Sequence, residues 1–201
     1  MLQDIPTPTL REASTCVLET ERLTLRRPTL ADVKAIARLA NDRRIAENTR
    51  RLPHPYLQDH AVEFVRATST DNSEMVFLIE QNYSPVGMVG IDRSEPDAPE
   101  LGYWLGVEYW GQGFGTEAAR AVIDFTFEEF DIEHLIAGAR VSNPSSRNIL
   151  EMRLPMERRR TASLRGAGIV DAGRPLPAFS QCVVVAEELG QCDTALAVNV
   201  R

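Results

Sequence analysis

The stretch from Leu101 to Arg120 constrains this chain more than any other part of it. Leu101-Gly102-Tyr103-Trp104-Leu105-Gly106-Val107 is apolar and aromatic and has the character of a strand. Gly111, Gly113 and Gly115 follow at alternate positions, and Thr116-Glu117-Ala118-Ala119-Arg120 opens a helix-forming run. The fold must therefore hand a strand over to a helix through a glycine loop. Glycines let a backbone turn sharply and bring its N–H groups close to a ligand. The free N–H groups and dipole of the following helix favour an anion there. The junction is a site for a phosphate or pyrophosphate or, on the plainest reading, a turn without a ligand.

The spacing excludes two nucleotide loops. A Walker loop ends in Gly-Lys-Ser/Thr, and the only lysine of the chain is the distant Lys34. A dinucleotide fingerprint needs G-x-G-x-x-G, which Gly111, Gly113 and Gly115 do not supply. With 201 residues and 43% hydrophobic content the chain suits one soluble domain. No apolar run approaches the roughly 20 residues that span a bilayer, so no membrane partner is expected. Met1 to Ser14 has no apolar signal region. Cys16, Cys182 and Cys192 form neither a disulfide framework nor a zinc pattern, and His60 and His134 have no partner at metal spacing. A reducing cytoplasm is the expected compartment. The net charge of −7, without a long basic run before the tail, argues against nucleic acid as a partner. It leaves the substrate and the oligomeric state open.

The glycine segment Trp110-Gly111-Gln112-Gly113-Phe114-Gly115 resembles the acetyl-coenzyme A loop of the GNAT N-acetyltransferases. Trp110 departs from the broad R/Q-x-x-G-x-G/A pattern but is similar to the Rim-type branch, which modifies protein N-termini. Three further segments resemble the family in family order. They are Leu18-Glu19-Thr20-Glu21-Arg22-Leu23-Thr24-Leu25-Arg26, Glu100-Leu101-Gly102-Tyr103-Trp104-Leu105 and Asn143-Pro144-Ser145-Ser146-Arg147. Together they delimit a domain over residues 18–152, after a flexible leader over 1–17.

Along the chain, Arg22 to Arg26 alternates as a strand, and Thr29 with Asp32 makes a capping-box-like start to a helix whose stripe is Val33, Ile36, Ala37 and Ala40. Arg43 to Arg51 is polar and basic, up to a break at Pro53-His54-Pro55. A second helix opens at Asp59, with Val62, Phe64 and Val65 as apolar anchors, and ends near Ser69. Strands follow over Met75–Glu80, Val86–Asp92 and Glu100–Val107, with turns at Tyr83-Ser84-Pro85 and Asp97-Ala98-Pro99. Thr116 to Phe130 is an amphipathic helix, His134 to Val141 a strand, and Asn143 or Ser145 caps a short helix ending near Met152. This order predicts a mixed α/β fold in three layers. The resemblance implies the same fold, and implies that its fourth and fifth strands splay apart at a bulge to expose backbone groups.

What the resemblance implies for function is transfer of an acetyl group from acetyl-coenzyme A to an amine by direct attack, the acceptor being a protein N-terminus or a small molecule. The rival reading is an acetyl-coenzyme A-binding module with an incomplete acceptor site. Acetyl transfer needs a neutral amine, donors for an oxyanion and a proton for the leaving thiolate. Glu100 is the candidate base, or else a strand-end glutamate in a solvated pair. Ser146 is the candidate proton donor or a hydrogen-bond donor to the cofactor, or else a first-turn residue with no ligand. Asn143 bonds the pantetheine arm or merely caps its helix. The expected cofactor contacts are Tyr103, Trp104, Leu105 and Val107 on the strand, with the N–H near Leu105 as oxyanion donor. Gly111, Gln112, Gly113, Phe114, Gly115 and Thr116 follow in the loop, and then Asn143 and Ser146. One of Tyr103 and Trp104 should face the core and the other the acceptor channel. His54 could line the channel mouth or simply be exposed. No metal is expected.

After Glu151 the resemblance fails. The family continues K-x-G-F and adds two strands; this chain reads Met152-Arg153-Leu154-Pro155-Met156-Glu157-Arg158-Arg159-Arg160. A one-base shift across Met152–Glu157 can encode Cys-Gly-Phe-Gln-Trp, which restores Gly-Phe. The tail over 153–201 also lacks lysine, tyrosine and tryptophan. Arginine-rich, lysine-poor composition indicates GC-rich coding DNA, whose out-of-frame translation has this character. The expectation is a frameshifted tail with the last strands missing or replaced, a divergent tail being the alternative. Val183 to Ala186 is its one β-like run.

Overall fold

Alternating and continuous apolar residues between Glu74 and Leu105 build the centre of a sheet. The computed structural model describes residues 16–70, 73–95, 99–130, 132, 134–140, 142–151 and 179–185. Among them are seven strands in one sheet in sequential order, from β1 to β7. They are β1 (Val17–Glu19), β2 (Thr24–Arg26), β3 (Glu74–Gln81), β4 (Ser84–Asp92), β5 (Glu100–Leu105), β6 (His134–Arg140) and β7 (Phe179–Val185). Every neighbouring pair is antiparallel except β5 and β6.

Helices cover both faces. One layer holds α1 (Val33–Ala40) and α3 (Gln58–Thr70), with the short α2 (Arg43–Asn48) between them in sequence. The other holds α4 (Phe114–Glu129), and Ile149 of α5 (Pro144–Glu151) packs on the same cluster. The sheet's alternation explains the two clusters. Phe77, Ile79, Val89, Leu101 and Leu135 meet Phe114, Ala118 and Val122 of α4 on one side. Leu78 and Met88 meet Val33, Ile36, Ala61 and Val65 on the other. Phe77, Leu78 and Ile79 are each at most 1% exposed, so β3 is buried on both faces, and each such side chain contributes about 1.5–3 kcal/mol.

The predicted helices and strands recur with small shifts. The Asp32 carboxylate accepts from the Thr29 N–H at 2.7 Å and from its hydroxyl at 2.8 Å, as the capping-box reading required. The polar Arg43–Arg51 segment contains a helix, because Asp42 caps it by accepting from the Arg44 N–H at 2.9 Å. The β3–β4 turn sits at Asn82 and Tyr83, with φ of 49° and 62°, one residue before the expected Tyr83-Ser84-Pro85. Arg22 is not in a strand. The N-terminal segment folds into a tight hairpin, Val17↔Arg26 to Glu19↔Thr24, whose turn holds Thr20 and Arg22. The fourth and fifth strands expected from sequence, Glu100–Val107 and His134–Val141, are β5 and β6 here. The ladder of β5 with β4 runs unbroken from Gly87↔Leu105 to Asp92↔Glu100, so it carries no bulge in β5. The register shift lies instead between Ile79 and Glu80 of β3.

The tail differs from expectation in one respect. Phe179–Val185 pairs along the whole of β6, from His134↔Val185 to Arg140↔Phe179. Three consecutive valines, Val183 to Val185, give that run its strand propensity. Of the leader expected over residues 1–17, Val17 instead opens β1. Residues 1–15, the rest of the predicted tail and the turn at Asp97-Ala98 lie outside the described residues.

Candidate active site

The parallel pair of β5 and β6 is brief. Only Glu100↔Ile136 and Leu101↔Ala137 are in register, and Gly102 to Leu105 has no partner strand on that side among the described residues. The expected splay is therefore present without a bulge. Its polar groups follow from strand geometry. Gly106 N–H donates to the Val86 carbonyl at 2.9 Å, which sets the alternation of the β4–β5 pair. Even-numbered residues of β5 bond to β4, and odd-numbered residues turn their N–H and C=O toward β6. Pro99 obeys this, since its carbonyl accepts from Ile136 N–H at 2.8 Å. Tyr103 and Leu105 thus direct backbone groups into the open splay. The Trp110 indole N–H donates to the Leu105 carbonyl at 2.9 Å, which leaves the two N–H groups and the Tyr103 carbonyl facing the opening.

The glycine loop lies at the end of that edge. After β5 the chain makes a 3-10 turn over Val107–Tyr109, and Gly111 and Gly113 then adopt left-handed backbone, with φ of 73° and 82°. L side chains are strained there. A Cβ on Gly111 would meet no described atom within 4 Å, so the loop presents bare backbone. The first helical bond of α4 runs from Glu117 N–H to the Gly113 carbonyl at 3.1 Å. The N–H groups of Phe114, Gly115 and Thr116 precede it and have no partner within the helix. Phe114 places its ring in the core at 2% exposure, so only its backbone belongs to the loop surface. Gln112 donates to the Glu108 carbonyl at 3.0 Å. Gly115 is hemmed in: a Cβ there would lie 3.1 Å from Ile149 Cδ1, where α5 packs against the start of α4.

Tyr103 and Trp104 point to opposite faces, as alternation demands, and both are half-buried against core. Tyr103 packs with the α4-side cluster and Trp104 with the α1/α3-side cluster. Burial pushes the Tyr103 phenol above its ordinary pKa, and its hydroxyl lies 3.5 Å from the Ser146 carbonyl. Glu100 and Gly102 lie on the Trp104 face. A Cβ on Gly102 would meet no described atom within 4 Å, and one on Gly138 would lie 3.6 Å from Glu100 Oε1. The result is an open floor of two glycines beside one carboxylate. Arg50 holds that carboxylate through Oε1. Register sets Glu74, Asp92 and Glu100 in a row across β3, β4 and β5. Arg51 answers the other two, bonding Glu74 at 2.5 Å and also Asp92. For Asp92, burial raises the pKa, but the Ser94 hydrogen bonds and Arg51 outweigh it and lower the carboxyl below its ordinary range. His54 is exposed.

At the head of α5, Asn143 Oδ1 accepts from Ser146 N–H at 3.0 Å, and its Nδ2 donates to Ser146 Oγ at 3.1 Å. Asn143 is thus a helix cap with both ends of its amide engaged. Ser146 accepts that bond and keeps its hydroxyl proton to donate.

Sequence reasoning missed the arginines. Arg50, from the segment after α2, reaches the candidate base. Arg22 reaches the loop, where Nη1 donates to the Gln112 carbonyl at 2.9 Å and Nη2 pairs with Glu117 at 2.6 Å. Both contacts are long-range, and only their charge was visible in sequence. For Glu117, burial raises the pKa, but hydrogen bonds from Thr20 and Arg22 prevail and hold the carboxyl below its ordinary value.

Residues 22–152 match the family described as the acetyltransferase (GNAT) domain. The chain belongs to the GNAT acetyltransferase family. It is 25% identical over 139 residues to the uncharacterized N-acetyltransferase p20 of Bacillus licheniformis, a match covering 66% of this chain and 78% of that protein. It is 29% identical over 76 residues to the ribosomal-protein-serine acetyltransferase of Escherichia coli K12, covering 37% and 42% of the two. Among solved structures, RimL, a ribosomal-protein alpha-N acetyltransferase in complex with coenzyme A, superimposes with a TM-score of 0.68 at 18% identity, covering 85% of this chain and 98% of that one. A GNAT acetyltransferase from Bacillus anthracis gives 0.66 at 16%, again covering 85% and 98%. In this GNAT member no described helix is long and apolar enough to cross a membrane, and the described residues hold no cluster of metal-binding side chains.

Proposed function

We propose that the protein transfers an acetyl group from acetyl-coenzyme A to a primary amine, carried on a protein N-terminus or a small molecule. The observation that supports this best is the juxtaposition of the unpaired β5 edge with the bare glycine loop. An extended polar arm needs backbone partners along its length, and its phosphates need N–H groups at its end; the chain supplies both in one line. The relative named as a ribosomal-protein-serine acetyltransferase and the RimL neighbour, named as an alpha-N-protein acetyltransferase and bound to coenzyme A, agree with this reading.

Bound acetyl-coenzyme A supplies the activated acyl carbon and a thiolate leaving group. The protein's residues do the rest. Gly111, Gln112, Gly113 and the first-turn N–H groups of Phe114, Gly115 and Thr116 take the pyrophosphate. Val107 carries the backbone from the strand into the loop. The N–H groups of Tyr103 and Leu105 face the splay, where an oxyanion needs donors. Glu100 takes the proton of the incoming ammonium, directly or through water. Its free oxygen among the described contacts is Oε2. Ser146 holds a hydroxyl proton beside the head of α5. Trp104 backs the acceptor floor and Asn143 fixes Ser146.

Calorimetric titration with acetyl-coenzyme A, followed by thiol release with a panel of amines, tests the reading. Saturable binding with amine-dependent thiol release is the expected result. Binding without release would leave a binding module, and no binding would remove the proposal.

A further inference from the structure

The N-terminal hairpin and the first turn of α4 close on each other. Glu117 Oε1 accepts from the Thr20 hydroxyl at 2.6 Å and from the Arg22 N–H at 2.8 Å. Glu117 Oε2 accepts from Arg22 Nε at 2.7 Å and from Nη2 at 2.6 Å. The last arm of the guanidinium, Nη1, holds the Gln112 carbonyl, and the group lies 4.8 Å from the centroid of the Phe114 ring.

Two consequences follow for the loop. A carboxylate in the first turn of a helix interacts with the same partial positive charge that attracts an anionic ligand. Here its oxygens are occupied by four donors from another element. The Gln112 carbonyl is also fixed toward Arg22. Across a trans peptide the next N–H points the opposite way, so Arg22 sets the direction of the Gly113 N–H.

We infer that Arg22 is a positioning residue for the anion-binding loop, fixing the Gln112–Gly113 peptide and keeping the Glu117 charge away from the N-terminus of α4. This rests on the reading that coenzyme A binds at that loop. Arg22 acts through Gln112 and Glu117, so its effect belongs to cofactor affinity.

The test is calorimetric titration of coenzyme A into the full chain and into Arg22→Ala, Arg22→Lys and the double variant Arg22→Ala/Glu117→Gln. Arg22→Ala should weaken binding about ten-fold, the scale of a charge released beside a helix end. Arg22→Lys should fall between, because an ammonium keeps the charge and loses the fork. The double variant should bind more tightly than Arg22→Ala, since it neutralises the released carboxylate. A merely structural role predicts the reverse, because the double variant has lost more contacts. Should Arg22→Ala fail to fold, Arg22→Lys against Arg22→Lys/Glu117→Gln gives the same comparison. Unaltered affinity in Arg22→Ala, or a double variant no tighter than the single, overturns this inference alone. No binding by the wild type overturns the cofactor reading and this inference with it.

Discussion

Arg50 pairs with Glu100, the carboxylate at the head of β5, across a separation of 50 residues. The pair links the segment after α2 to the strand that borders the splay. Its partners are partly exposed, with side-chain exposures of 48% and 26%, so its direct worth to stability is at most about 1 kcal/mol. Its position matters more than its energy, because it orients Glu100 over the two-glycine floor.

Glu100→Gln keeps the shape of the side chain and removes its basicity. Turnover at neutral pH should fall about 100-fold or more, the scale of general base catalysis. Calorimetry should show acetyl-coenzyme A affinity unchanged within about two-fold. A variant with wild-type turnover would assign amine deprotonation to solvent.

Gly102 offers a clean probe of the proposed acceptor side. It has ordinary backbone conformation and open space where a Cβ would stand. Replacing a strand glycine relieves about 0.5–1 kcal/mol of entropic cost, so Gly102→Leu should melt no lower than the parent. It should cut kcat/KM for amine acceptors about ten-fold or more by misplacing them. Equal rates with every amine would place the acceptor elsewhere.

The loop glycines should respond differently. Gly113→Val forces a β-branched residue into φ of 82° and brings its Cβ within 3.2 Å of Arg22 Nη2. The strain alone costs about 1–3 kcal/mol. Acetyl-coenzyme A affinity should drop about ten-fold or more, and calorimetry with an unchanged dissociation constant would move the anion site.

Acid should weaken the fold through Asp32, Asp92 and Glu117, whose carboxyls lie below their ordinary pKa range. Burial raises each, and hydrogen bonds with arginine, together with Thr29, Ser94 or Thr20, outweigh it. A depressed folded-state pKa gives stability that is present above the unfolded value, about 4, and is lost as pH falls through the folded value. The melting temperature should therefore decline from about pH 5 toward pH 2, and Asp32→Asn should flatten part of that decline. A melting temperature that holds steady over this range would show the three pairs to be thermodynamically silent.

Ending the chain after Glu151 removes β7 and bares the β6 edge. The truncated protein should unfold at lower denaturant and associate more readily than the full chain, as read by urea titration and light scattering. Equal midpoints would show that the 179–185 strand adds nothing to the domain, in agreement with a tail of foreign reading frame.

The order of elements and the loop were legible in sequence because their causes are local. Apolar periodicity marked β3, β4 and α4, and alternate glycines marked the turn into α4, since left-handed backbone at Gly111 and Gly113 excludes most other residues. The short helix at Arg43 was missed because its six residues are held by one cap at Asp42 and carry no apolar stripe. The strand at Phe179 was underestimated because strand identity is decided by a partner, and β6 lies some forty residues earlier.

By itself the sequence determined the layered fold, the glycine loop ahead of α4 and the family. Tertiary structure alone decided which groups surround the candidate site. It turned Tyr103 and Leu105 toward the splay, committed Asn143 to its cap, and brought Arg22 to Glu117 and Arg50 to Glu100. Backbone conformation depends on neighbours along the chain, which a sequence displays. Ion pairs and open strand edges depend on how distant segments dock, and charge alone does not say which arginine meets which carboxylate.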